Sequence, residues 1–302
     1  MNNVLIKERT RNDIDRQVAK IIRGLGNPEP PLNLADVRTL LELDKHYYSS
    51  TDDGPLRERI RRLIVAGKQV INRPGLIVDV VKKLDLKALY LPDQKRILLD
   101  SDVPKAKHRW NEAHECVHDI IPWHKSTMMG DTKLTLSLDC HEQIEAEANF
   151  AAGRLLFLQD KFDVIAKSST PTIAEAKRVA KLFGNSVTST LWRLVEAQES
   201  PTVGIISCHP QRTHLAEDPL NPLRYIISSH SFRARFSNVS PKTLQLSLKG
   251  YCGYVTKGPL GQGEVILECD NGQKHLFSFE TFCNTYEALT LGTYLRPASL
   301  QA

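Results

Sequence analysis

The sequence lacks a long apolar run. Nowhere does it approach the roughly 18 consecutive apolar residues of a membrane span, which excludes a helical integral membrane protein and makes a membrane partner unexpected. The opening MNNVLIKERTRND turns charged before any signal-peptide core forms, so a cytoplasmic protein is expected. Cysteine pairs are missing too: the six cysteines are scattered, none forms a CxxC, and they read as reduced thiols rather than a disulfide framework. Internal repeats and low-complexity tracts are absent, which excludes solenoids and disordered linkers. Neither sign of charge dominates. Forty Lys and Arg face 35 Asp and Glu, a net +5 that permits nucleic acid as a partner without arguing for it. What remains is an ordinary globular composition, 41% hydrophobic and 25% charged, over 302 residues, enough chain for two domains.

The first third reads helical. Ile14, Val18, Ile21, Ile22 and Leu25 recur at helical spacing until Gly26-Asn27-Pro28 ends the run. Further helices are expected at 34–43, at 55–71 and from Gly75. Then Lys87–Leu91 and Lys95–Asp100 flank the turn Pro92-Asp93-Gln94 as a β-hairpin. Helix returns from Lys105 and stops before Pro122, and an irregular stretch follows. A strong helix runs from about His141 to Leu158, and residues 171–197 read as two helices broken at Gly184-Asn185. After Pro201 the runs VGIIS, LRYIIS, LQLSL, GYVT, EVILEC and HLFSF read as strands, with Asp270-Asn271-Gly272 as a hairpin turn. Residues 201–302 are therefore expected to form a separate β-rich domain.

His114-Glu115-Cys116-Val117-His118 is an HExxH motif on a predicted helix. Residues four apart share a helical face, about 6 Å apart along the axis. Two imidazoles then converge on one zinc ion, and Glu115 stands beside it to take a proton from water. A catalytic zinc takes three protein ligands and keeps one position open. Glu142, Glu145 and Glu147 on the next helix are the candidates. Glu142 points away from the apolar stripe and Glu147 lies on its far flank. Glu145 lies on the near flank, in line with His141 and Asn149, and is the expected third ligand. Asn149, one turn beyond, is placed to hydrogen-bond the outer nitrogen of a zinc-bound histidine. His141 is a further candidate beside metal or substrate, though it also reads as a polar helix-start residue. His108 and His124 flank the motif helix and read as surface histidines. Cys116, two residues from His114, points away from the metal face as a small core residue.

The run RWNEAHECVHDIIPWH, followed by EAEANFAAGRLL, resembles the ImmA/IrrE family of zinc metallopeptidases. The likeness covers residues 75–165 and, more loosely, the helices to 197. It implies an α+β fold: a mainly helical, zincin-like peptidase domain with a small sheet, followed by the β-rich domain. Residues 1–200 would be that peptidase domain, with N-terminal helices at 1–74, a catalytic core at 75–165 and a helix-turn-helix-like pair at 171–197. Motif position places the zinc ligands on His114, His118 and Glu145, as the helical phase does, and the catalytic carboxylate on Glu115. The resemblance further implies cleavage of a regulatory protein such as a helix-turn-helix repressor or antitoxin. It also suggests that an extended substrate adds to an edge strand carrying Arg96, Ile97 and Leu98. The oxyanion donor stays open among His124, His141 and the tyrosines.

Two other classes stand beside the enzyme. One is a DNA- or ligand-binding transcriptional regulator, since Ala180-x3-Gly184 has helix-turn-helix spacing. From Asn185 to Glu196, however, Arg193 is the only basic residue to meet phosphates. The other is a β-rich binding module regulated by the metal site.

Overall fold

Apolar residues three and four apart build the first helix, α1 (Glu8–Gly24), which buries Ile14, Val18 and Ile22 and ends at the left-handed Gly26 and Asn27. The computed structural model describes residues 6–48, 88–128, 138–215 and 222–298. The helices expected at 55–71 and from Gly75 lie outside the described residues. The architecture is α+β, with helices and two sheets shared between two units, Met1–Gln159 and Asp160–Ala302. No helix among the described residues is long and apolar enough to cross a membrane.

In the first unit, α2 (Leu34–Leu41) starts on Asn33, whose side chain accepts from the Ala35 amide, and stops at Glu42 in the left-handed region. Strand β1 (Asp44–Tyr48) follows. Strands β2 (Ala88–Leu91) and β3 (Arg96–Asp100) form the expected hairpin around a 3-10 turn at Pro92–Gln94. The sheet order is β1-β3-β2, with β1 parallel and β2 antiparallel to β3. This corrects the expected docking strand. Arg96, Ile97 and Leu98 lie on the central strand, whose backbone groups pair on both sides, and the outer strands among the described residues are β1 and β2.

Helix α3 (Lys105–Ile120) carries the HExxH motif. Pro122 ends it and also starts α4 (Pro122–Met128), because proline at a first helical turn gives up no hydrogen bond. The stretch read as irregular therefore begins as helix. Helix α5 (Leu138–Leu156) turns small residues, Ala148, Ala151 and Ala152, into the core and packs against α3 and α1.

The second unit begins with α6 (Asp160–Ser168), α7 (Ile173–Phe183) and α8 (Val187–Glu196). Five antiparallel strands follow: β4 (Thr202–Ser207), β5 (Leu223–Ser228), β6 (Gly258–Glu268), β7 (Lys274–Cys283) and β8 (Ala288–Pro297), in the order β5-β4-β8-β7-β6. Between β5 and β6 lie α9 (His230–Arg235) and α10 (Pro241–Tyr251). LQLSL thus proves helical. Ser240 caps it, accepting from the Thr243 amide, and Leu244 and Leu248 face inward while Leu246 is 61% exposed. GYVT forms no strand.

Both faces of this sheet are covered. On one, Phe232, Phe236, Leu244 and Leu248 pack on Val203, Ile205, Phe277 and Phe279. On the other, Ile173, Leu191 and Val195 share a core with Ile206, Ile227, Leu289 and Leu291. Gly204 permits that approach, since a Cβ there would meet Val195 at 3.0 Å. The expected boundary at 200/201 is therefore corrected. Helices α7 and α8 belong to the sheet, and the chain divides at Gln159/Asp160. The helix-turn-helix spacing gives a real helix pair with a left-handed Gly184, but its second helix turns its apolar side to strands.

Candidate metal centre

Two buried carboxylates fix α3 in place. Glu112 accepts from Arg38 Nε at 2.7 Å and Lys45 Nζ at 3.0 Å, tying α3 to α2 and β1. Asp119 accepts from the Tyr90 hydroxyl, from Lys95 Nζ at 2.9 Å and from Lys125 Nζ at 2.6 Å, tying it to β2, the hairpin turn and α4. Burial alone would raise the Asp119 pKa, but these hydrogen bonds outweigh it and hold the carboxyl below its ordinary range. Ala113, Cys116, Val117 and Ile120 supply the apolar contacts, so Cys116 is a fully buried core thiol. The remaining side of α3 presents His114 and His118.

Helix α5 brings Glu145 to both. His114 Nε2 lies 3.0 Å from Glu145 Oε2, the two Nε2 atoms are 3.3 Å apart, and His118 Nε2 is 3.9 Å from Glu145 Oε1. One donor atom from each residue falls within 4.8 Å of the others, the one such group among the described residues. The Glu145 side chain is 40% exposed and that of His118 only 3%, so the cluster is sealed on the protein side and open beside Glu145. Burial disfavours the imidazolium of His114. Its hydrogen bond to Glu145 and the charges of Glu115 and Glu145 outweigh that, and its pKa is raised.

Glu115 is buried beside them. Loss of solvent pushes its carboxyl up to about 7, the Glu145 charge adds to the rise, and His114 and a hydrogen bond with the Tyr90 backbone oppose it. The Asn149 side chain hydrogen-bonds His114. His141 lies in the first turns of α5, and its side chain is outside what the structure describes. Glu142 is exposed, away from the cluster.

Two residues read otherwise in the sequence form a layer behind the cluster. His124, expected at the surface, is fully buried. Its Nδ1 lies 3.0 Å from His118 Nδ1, and its Nε2 lies 3.2 Å from Glu147 Oε2. Glu147, weighed as a ligand, instead accepts from Trp123 Nε1 at 2.6 Å and Gln143 Nε2 at 2.7 Å. Burial would raise its pKa, but the bonds from His124, Gln143 and Trp123 hold it low. The available signal was Pro122 restarting the chain as helix, which carries Trp123 and His124 back over α3. His108 hydrogen-bonds the Val103 carbonyl at 2.7 Å, a local contact.

Fold and site together define an α+β protein with a partly buried His-His-Glu cluster whose donor atoms lie close enough to hold a metal ion. No protein-family model matches the chain, and no curated protein matches it in sequence. Among solved structures it shares its fold with a Mycobacterium tuberculosis transcriptional regulator, at a TM-score of 0.53 and 12% identity over 95% of this chain and 78% of that one.

Proposed function

We propose that the chain is a zinc-dependent endopeptidase acting on a regulatory protein such as a helix-turn-helix repressor or antitoxin. The spacing of the three donors carries this reading. Zinc bonds of about 2.0–2.1 Å in tetrahedral array separate ligand atoms by about 3.4 Å; here the two Nε2 atoms are 3.3 Å apart, one Glu145 oxygen lies 3.0 Å from His114 Nε2 and the other 3.9 Å from His118 Nε2. Two neutral imidazole nitrogens and one carboxylate oxygen are also the donor set of a catalytic rather than a structural zinc. The 40% exposure of the Glu145 side chain leaves that side of the cluster within reach of solvent. Resemblance of residues 75–165 to ImmA/IrrE peptidases supports the same assignment.

His114, His118 and Glu145 would hold a zinc ion, which would polarise a scissile carbonyl and acidify water. Glu115 takes the attacking water's proton and later delivers it to the leaving amine. Its burial keeps bulk solvent from competing for that proton. Strand β2, whose Tyr90 backbone meets Glu115, replaces β3 as the strand beside which an extended substrate lies.

A transcriptional regulator is the second reading, favoured by the fold shared with the mycobacterial regulator. Glu115→Gln separates the two. In the peptidase, zinc content stays at wild-type level and cleavage of a repressor co-encoded with this chain falls about 10²–10⁴-fold. Unchanged regulatory output from a zinc-loaded Glu115→Gln protein would favour the regulator.

A further inference from the structure

Behind the metal cluster a line of four groups runs into the protein: His118, His124, Glu147 and the pair Trp123 and Gln143. The separations are 3.0 Å from His118 Nδ1 to His124 Nδ1 and 3.2 Å from His124 Nε2 to Glu147 Oε2. Glu147 is then held by Trp123 Nε1 at 2.6 Å and Gln143 Nε2 at 2.7 Å. His118, His124 and Glu147 are all more than nine-tenths buried. We propose that His124 and Glu147 are positioning residues, forming a relay that fixes His118 in the one tautomer able to bind a cation through Nε2. This rests on the metal-site reading above and assigns a role to two residues outside the ligand set.

Proton placement follows step by step. His118 Nε2 faces His114 and Glu145, so its lone pair belongs to the metal side and its Nδ1 must carry the hydrogen. His124 Nδ1 is the atom within reach, and it must accept. The His124 hydrogen is then on Nε2, where the acceptor is Glu147. Glu147 has only acceptors to offer, and the indole and amide N–H groups that meet it are donors, so the line ends without conflict. Every N–H points away from the metal side and every ring lone pair towards it. A ligand histidine is usually oriented by one carboxylate directly. Here a second imidazole is interposed, carrying the Glu147 charge across a distance that a single hydrogen bond does not span. The arrangement stops the His118 ring from rotating, without placing another negative charge at the open side.

The test uses the full-length protein and zinc alone. His124→Phe keeps a ring of similar size and removes both nitrogens. Zinc affinity, read by chelator competition, should fall about 10–100-fold, while the thermal unfolding midpoint of the zinc-free protein changes little. Adding Glu147→Gln to His124→Phe should cost nothing further, because the line is already cut, whereas independent effects would multiply. On wild-type protein, long-range nitrogen–proton spectra of labelled histidines should show zinc on His118 Nε2 and the His124 hydrogen on Nε2, a readout that survives if His124→Phe does not fold. Unchanged zinc affinity in His124→Phe, or a hydrogen on His124 Nδ1, overturns the relay while leaving the metal site standing. Unchanged affinity in His118→Ala, or no binding by wild type, overturns both.

Discussion

Glu145 and Glu147 stand two residues apart on α5 yet meet different partners, the first the two imidazoles of α3 and the second His124 with Trp123 and Gln143. Glu145→Ala is expected to remove zinc almost entirely, since each of three ligands contributes to the whole affinity. Glu147→Ala should weaken binding only about 10–100-fold. Metal analysis after dialysis, with chelator competition, distinguishes the two, and equal losses would show that the division of roles is wrong. His114 and His118 were legible because four-residue spacing is a local rule. The phase of Glu145 was legible for the same reason. His124 was not, because its burial depends on where α4 turns after Pro122, a tertiary fact with no periodic trace.

Among elements, helices with a one-sided apolar stripe were the most readable. The limits appear where one pattern serves two periods. Leu244, Leu246 and Leu248 alternate as in a strand, yet 244 and 248 are also one helical turn apart, and the Ser240-Pro241 start decides for helix. Strand β1, DKHYY, was invisible because it is short and polar, and it gains its strand character from pairing with β3. Asp270, in the turn between β6 and β7, accepts from the Ser237 and Asn238 amides at 3.2 and 3.0 Å and from Ser237 Oγ at 2.9 Å. Solvent loss would raise its pKa, but these bonds outweigh it and the folded value is lowered. Its contribution is therefore complete above the ordinary carboxylate pKa, about 4, and disappears as pH falls through the lower folded value. Asp270→Asn should show a small drop in unfolding midpoint near pH 7 that vanishes near pH 2. An equal drop at both pH values would mean that ionisation of Asp270 contributes nothing.

At the scale of the whole chain, the change of composition at Pro201 was a true signal read at the wrong place. It marks where strands begin, whereas the unit begins with the helices that cover them. Residues 160–302 expressed alone should give a protein with one cooperative unfolding transition. Residues 201–302 alone should aggregate, because Ile206, Ile227, Leu289 and Leu291 lose the cover of Ile173, Leu191 and Val195. A soluble, cooperatively folding 201–302 fragment would restore the boundary expected from sequence.

The donors of the metal cluster come from two helices, with His114 and Glu145 31 positions apart. A tetrahedral shell tolerates errors of only about 0.2 Å in its bonds, so the cluster acts as a gauge of the gap between α3 and α5. Helix α5 packs against α3 and α1 with Ala148, Ala151 and Ala152 fully buried. Enlarging any of these to valine forces the helices apart by a fraction of an ångström. Titration with zinc should register that displacement as weakened uptake, even in a variant whose circular dichroism and melting curve still match those of the parent.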